Sequence, residues 1–226
     1  VEDITSICGG LNINIGTLNK NTIPSMFLAG KKANALGHIV LLDPVGAGAS
    51  RLRTDTANRL MQEVRFDAVR GNISEIKTLC TGSGSTKGVD ADAVDAVTEA
   101  NLDDGVQLVK AFAQKTGCIV AVTGAIDLVS DGERCWCIRN GRAEMSRITG
   151  TGCQLSALMT AFLVANPDRK LDAAAAAVCM MGLAGEIGWA NMQPGDGNST
   201  YRNRIIDAIF NMTGDALEEG AKYELR

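Results

Sequence analysis

A three-layer α/β/α fold around a mostly parallel sheet is predicted by three features of this chain. Short, continuously apolar segments alternate with longer segments of helical spacing. Several apolar segments run directly into loops rich in Gly, Asn or Asp, the composition found where strands of open α/β sheets end and ligands bind. No internal repeat or linker breaks this order, so residues 1–226 read as a single domain.

The elements follow in sequence. Residues 11–15 alternate apolar side chains with Asn and end at Gly16, as a strand would. Residues 24–36 carry Met26, Ala29, Ala33 and Leu36 at helical spacing, closed by Gly37. Residues 38–42 are apolar after His38, the pattern of a parallel strand covered on both faces. A helix is predicted over 54–64, a short strand at 68–69 and a short helix over 74–79. Residues 82–90 are rich in Gly and Ser and read as a loop. A helix over 106–114 precedes an apolar strand over 118–122. Residues 128–129 and 135–138 suggest a hairpin across Asp131-Gly132. Helices are predicted from Gly150-Thr151-Gly152 through Val164, over 172–189 and over 201–212.

Composition excludes several functions. The 226 residues are 46% hydrophobic and 21% charged, which excludes disorder and coiled coil. A chain this long buries roughly 70% of its unfolded surface and needs no disulfide or metal to fold. The net charge of −4 and the lack of a basic block argue against nucleic acid and anionic membranes as partners. Aromatic residues, at 4%, are too few for base stacking. Seven cysteines with one histidine and no CxxC pair read as reduced thiols of a cytoplasmic protein rather than a zinc site. The N-terminus lacks the basic and apolar regions of a signal peptide. The most apolar stretch, 171–181, is too short to span a bilayer.

Four segments can carry chemistry. In Leu42-Asp43-Pro44-Val45-Gly46-Ala47-Gly48-Ala49 a carboxylate closes a strand and glycines follow. Asp43 suits a metal ion or a phosphate-bound Mg²⁺, and the glycines permit close approach to an anion; a capping Asp with turn glycines would read the same way. In Arg70-Gly71-Asn72-Ile73-Ser74-Glu75, Arg70 could clamp a phosphate. Asn72 could cap the helix with Glu75 one turn along, and capping alone would account for both. Thr123 ends a strand before Gly124, where a hydroxyl can meet a phosphate; a simple strand end reads the same. In Thr149-Gly150-Thr151-Gly152-Cys153 a helix opens on glycines, so free N–H groups and the positive dipole end offer an anion site. Cys153 lies in the first turn, where a thiolate is stabilised, and could take a proton from a substrate hydroxyl.

In this order the segments resemble the hydroxyethylthiazole kinases of the ribokinase-like superfamily. The resemblance covers nearly the whole chain: NINIGTL at 12–18, LDPVGAGA at 42–49, RGNISEI at 70–76, KGVDA at 87–91, VTG at 122–124 and TGTGC at 149–153. It implies Mg²⁺- and ATP-dependent phosphorylation of the hydroxyl of 4-methyl-5-(2-hydroxyethyl)thiazole, a salvage step towards thiamine. It implies ATP contacts at Arg70, Thr123 and Asn72, and metal ligation at Asp43 and Glu75. It further implies catalysis at Cys153, Gly150 and Gly152, with Gly150 also at the thiazole. Cys153 stands where most of the superfamily has Asp, itself a mark of the thiazole kinases. The resemblance implies a homotrimer with sites between subunits, so Asn14, Ile15 and Gly16 are expected to bind substrate and to serve a neighbour's site. Family members also carry a segment before the position of Val1 that this sequence lacks, and residues 82–104 are longer here than in typical members. Two rival readings remain. One is another small-alcohol kinase of the superfamily, for pyridoxal, hydroxymethylpyrimidine or a sugar. The other is a nucleotide- or thiazole-binding protein without turnover. An NAD-binding Rossmann protein is a poor match, because no GxGxxG follows the first strand.

Overall fold

The structure is a computed structural model and describes residues 1–81 and 96–226. The KGVDA segment and the 82–90 loop lie outside these residues. The chain runs α1 (Glu2–Ile7), β1 (Gly10–Asn14), α2 (Thr22–Leu36), β2 (Ile39–Asp43), α3 (Arg51–Glu63), β3 (Ala68–Asn72) and α4 (Ile73–Thr81). It continues with α5 (Leu102–Thr116), β4 (Ile119–Thr123), β5 (Asp127–Ser130), β6 (Cys135–Ile138), α6 (Thr151–Ala165), α7 (Lys170–Ala190), α8 (Asn198–Asn211), α9 (Gly214–Gly220) and β7 (Tyr223–Leu225).

The seven strands lie in the order in which they occur in the chain. β1 to β4 are parallel, and β5, β6 and β7 complete the sheet antiparallel. An order that never reverses has a consequence. Right-handed crossovers then drop every connecting helix on one face. Accordingly α2, α3 and α5 pack Phe27, Ala33, Leu60, Val109 and Phe112 against Val40, Leu42, Val69, Val120 and Val122. The opposite face is covered only after β6, by α6, α7 and α8. There Leu155, Met159, Ala174, Val178 and Ile205 meet Leu41, Ala68, Ile119 and Ala121.

Strand parity places the candidate site residues. Val40 and Leu42 point to the first layer, so Ile39, Leu41 and Asp43 point to the second. The same alternation sends Arg70 and Thr123 to the second layer. Ile13 and Ile15 join the first layer, which turns Asn14 towards α6. Side chains from four successive strand ends therefore share one face, beneath one helix.

Element boundaries differ from expectation where capping decides them. α3 begins at Arg51, three residues earlier than periodicity suggests, because the Ser50 side chain accepts the Arg53 N–H. Gly37 closes α2 at φ 72°, as expected. α1, α9 and β7 carry no periodic signal in the sequence. The tail is held by tertiary bonds: Asn140 accepts the Lys222 N–H and donates to the Gly220 carbonyl. α7 is the one described helix long and apolar enough to cross a membrane, and most of it is buried against α6, α8 and the sheet.

Candidate active site

The site lies where the carboxyl ends of β1 to β4 meet the first turn of α6. Asn14 and Asp43 are register partners at the ends of β1 and β2. Asp43 is wholly buried. Its Oδ2 accepts Asn14 Nδ2–H at 2.9 Å and Ser156 Oγ–H at 2.8 Å. Arg70 Nη1 stands 3.7 Å from the same oxygen. Asp43 Oδ1 has no partner among the described residues. Burial pushes this carboxyl above the usual range, against the opposing charge of Arg70.

Glu75 is held differently. Its Oε1 accepts the Gly46 N–H at 2.7 Å and its Oε2 the Asn72 N–H at 2.8 Å. Asn72 Oδ1 accepts the Glu75 N–H at 2.8 Å, completing a reciprocal cap at the start of α4. Capping thus accounts for much of what Asn72 and Glu75 do. Burial raises the Glu75 carboxyl too, and the Asp43 charge adds to the rise, so the two acids feel each other.

The loop after β2 departs from the expected anion cradle. The N–H groups of Gly46, Ala47, Gly48 and Ala49 go to Glu75, Pro44, Thr54 and Gly46. Gly46 and Gly48 instead supply positive φ, 71° and 91°. Gly46 also lets the Arg53 side chain approach the loop closely, while Arg53 Nη2 donates to the Gly16 carbonyl at 3.0 Å.

Free donors are found at α6. Gly150 sits at φ 97° before the helix. The first intrahelical bond runs from Gln154 N–H to the Gly150 carbonyl, at 2.9 Å. The N–H groups of Thr151, Gly152 and Cys153 have no acceptor among the described residues. Arg70 lies against this turn, and its Nη2 donates to Thr123 Oγ1 at 2.7 Å. A cation held by a hydroxyl thus lies against a helix turn with three free amides. That arrangement can bind an anion and stabilise charge that develops on it.

Cys153 is exposed, unlike Cys118, Cys135, Cys137 and Cys179. Its Sγ accepts Asn14 Nδ2–H at 3.1 Å. Gly16 donates its N–H to Asn14 Oδ1 at 2.8 Å. Ile15 differs from expectation, because its side chain is fully buried in the first layer. Only its main chain remains to meet a substrate.

Sequence reasoning missed Ser156 and Asp127. Ser156 lies one turn after Cys153, a spacing that puts both on the site side of α6. Asp127 opens β5 and shares its parity with Val129, which turns it to the second layer. It accepts the Gly124 N–H at 2.8 Å, and burial pushes its carboxyl up to about 7, opposed by Arg70. Its signal was an acid four residues after Thr123, on the far side of the Gly124 turn.

The residues fit a phosphate-bound divalent cation better than a protein-built metal cage. No group of three or more His, Cys, Asp or Glu converges among the described residues. Mg²⁺ in nucleotide sites takes one or two carboxylates and completes its shell with phosphate and water. The unpartnered Asp43 Oδ1, with Glu75 nearby, matches that requirement.

Comparison with known proteins agrees with this geometry. A family model for hydroxyethylthiazole kinases matches residues 1–215. Hydroxyethylthiazole kinase of Clostridium acetobutylicum is 55% identical over 99% of this chain and 82% of its own length. That of Ruminiclostridium cellulolyticum is 46% identical over 97% of this chain and 78% of its own. The solved hydroxyethylthiazole kinase of Pyrococcus horikoshii superposes with a TM-score of 0.85 at 29% identity, covering all of this chain and 80% of its own. Pyridoxal kinase of Staphylococcus aureus in complex with ADP superposes at 0.62 over all of this chain and 76% of its own, and at 18% identity it shares the fold. With the strand-end cluster, the glycine-opened helix and these matches taken together, the chain belongs to the hydroxyethylthiazole kinase family.

Proposed function

We propose that this protein transfers the γ-phosphoryl group of ATP to the primary hydroxyl of 4-methyl-5-(2-hydroxyethyl)thiazole, with Mg²⁺, as a salvage step towards thiamine. One observation carries the reading: Arg70 and the three free N–H groups of α6 meet beside the exposed thiol of Cys153. Phosphoryl transfer depends chiefly on positioning and charge neutralisation, and this point supplies both.

Roles follow from placement. Arg70 and Thr123 contact the ATP phosphates, and Asn72 shapes that end of the site through its cap on α4. Asp43 and Glu75 would hold Mg²⁺, which would neutralise phosphate charge. The Gly150–Gly152 turn receives the thiazole alcohol and the charge of the transferring group. Cys153, in its deprotonated form, takes the hydroxyl proton: the O–H bond breaks, an S–H bond forms, and the oxygen attacks the γ-phosphorus in line as ADP leaves.

The assembly we infer is a homotrimer. β1 is an edge strand, and Ile4, Ile7, Leu28 and Leu36 leave an exposed apolar surface on α1 and α2 beside it. Asn14 and Gly16 lie at the end of that strand, which supports a site shared with a neighbour. Seven unpaired cysteines support a cytoplasmic setting.

ADP release measured against hydroxyethylthiazole, pyridoxal, hydroxymethylpyrimidine and ribose tests the reaction. Mg²⁺-dependent turnover of the thiazole is expected. Much faster turnover of pyridoxal or the pyrimidine would replace the substrate assignment, and ATP hydrolysis indifferent to all four alcohols would point to a binding protein. Light scattering tests the assembly, and a stable monomer that is fully active would overturn it.

A further inference from the structure

The carboxamide of Asn14 is oriented from three sides. Its Oδ1 accepts the Gly16 N–H at 2.8 Å, so its NH₂ must be the end that faces α6. That NH₂ has two hydrogens and two acceptors. One is Asp43 Oδ2 at 2.9 Å, and the other is Cys153 Sγ at 3.1 Å. An amide N–H can only donate, so Sγ is bound here as an acceptor. A donor aimed at sulfur holds it in one place, and such a bond is stronger to a charged acceptor than to a neutral one.

We propose that Asn14 is a positioning residue for Cys153, aiming its sulfur and supporting it as proton acceptor. This rests on the reading of Cys153 as the base. The role differs from a substrate contact: Asn14 acts through Sγ. The same amide bridges the sulfur to Asp43, which ties the base to the carboxylate that would hold Mg²⁺. The shared NH₂ lies between the sulfur and that carboxylate.

A double-mutant cycle with Asn14→Ala and Cys153→Ala tests it. In the wild-type background Asn14→Ala should lower kcat about 10-fold, the size expected for a hydrogen bond to a charged group, with little change in KM for the thiazole alcohol. In the Cys153→Ala background the same change should alter kcat less than about 2-fold, because the group it acts through is gone. A second readout needs no turnover. Alkylation of Cys153 by iodoacetamide at fixed pH, followed on its own peptide by mass spectrometry, should slow in Asn14→Ala. It should slow further in Asn14→Asp, which keeps the acceptor for Gly16 but replaces the donor with a negative charge. Melting temperatures show that each variant is folded.

An equal loss of kcat in both backgrounds, or unchanged alkylation, overturns the positioning role and leaves Cys153 as base. Full activity in Cys153→Ala alone overturns the base and this inference with it.

Discussion

A Cβ on residue 152 would lie 2.6 Å from Nη1 of Arg70, so Gly152 is what lets the guanidinium reach the first turn of α6. The clash falls on a side chain whose Nη2 is already held by Thr123. Arg70 could retreat only by giving up that bond or its approach to the free amides.

Gly152→Ala should therefore separate activity from stability. Residue 152 is helical without positive φ, so Ala suits the backbone and should leave Tm unchanged or slightly raised. Displacing Arg70 should cost about 10²-fold in kcat. A variant of normal rate would show that Arg70 does not need this approach.

Arg70→Ala removes the cation that lies against α6 among the described residues. A loss of about 10²–10³-fold in kcat is expected, corresponding to roughly 2–4 kcal/mol of transition-state stabilisation. Steady-state assays at saturating ATP read it directly. A folded variant with near-normal kcat would take Arg70 out of the reaction.

Cys153 invites two substitutions. Its exposure means that removing the thiol should leave no core cavity, so Cys153→Ala should keep its Tm while losing about 10²-fold in kcat. Cys153→Asp puts a carboxylate acceptor in place of the sulfur and should stay active. An active Ala variant beside a dead, unstable Asp variant would make Cys153 a filler and leave the anion site of α6 intact.

Ser156→Ala tests the support under Asp43. The buried hydroxyl donates to Oδ2 at 2.8 Å, and removing it leaves a buried carboxylate short of a donor. The expected cost is about 1–3 kcal/mol, with Asp43 driven further towards its protonated form. Chemical denaturation reads the first, and a higher Mg²⁺ requirement in the ADP-release assay reads the second. No change in either would mean that water replaces the hydroxyl.

Asp127 should leave a mark on stability against pH. Its folded value of about 7 lies above the ordinary carboxylate value. The folded protein therefore holds this proton more tightly than the unfolded chain does. The resulting stability is full below about pH 4 and is lost as pH rises towards 7. Asp127→Asn has no such loss, so its Tm minus that of wild type should increase from pH 5 to pH 8. A difference independent of pH would show that Asp127 titrates as an ordinary carboxyl.

Much of this was legible in the sequence because it depends on local patterns. Apolar runs such as 39–42 and helical spacing in 24–36 are properties of neighbours along the chain, and they set the strands and helices. Strand alternation settles even more: once Leu42 is known to be inside one layer, Asp43 must face the other. Glycines before Cys153 announced free amides at a helix start. Tertiary structure decided what lies beside what. The glycines after Asp43 looked suited to an anion, but their N–H groups are consumed by Glu75, Thr54 and the loop itself. The tail strand β7 has three residues and exists only because β6 offers an edge. Asn14 and Cys153 are 139 residues apart, and no local pattern relates them. They meet because a sheet order without reversal leaves one face empty until α6 covers it, and that helix starts above the ends of β1 and β2.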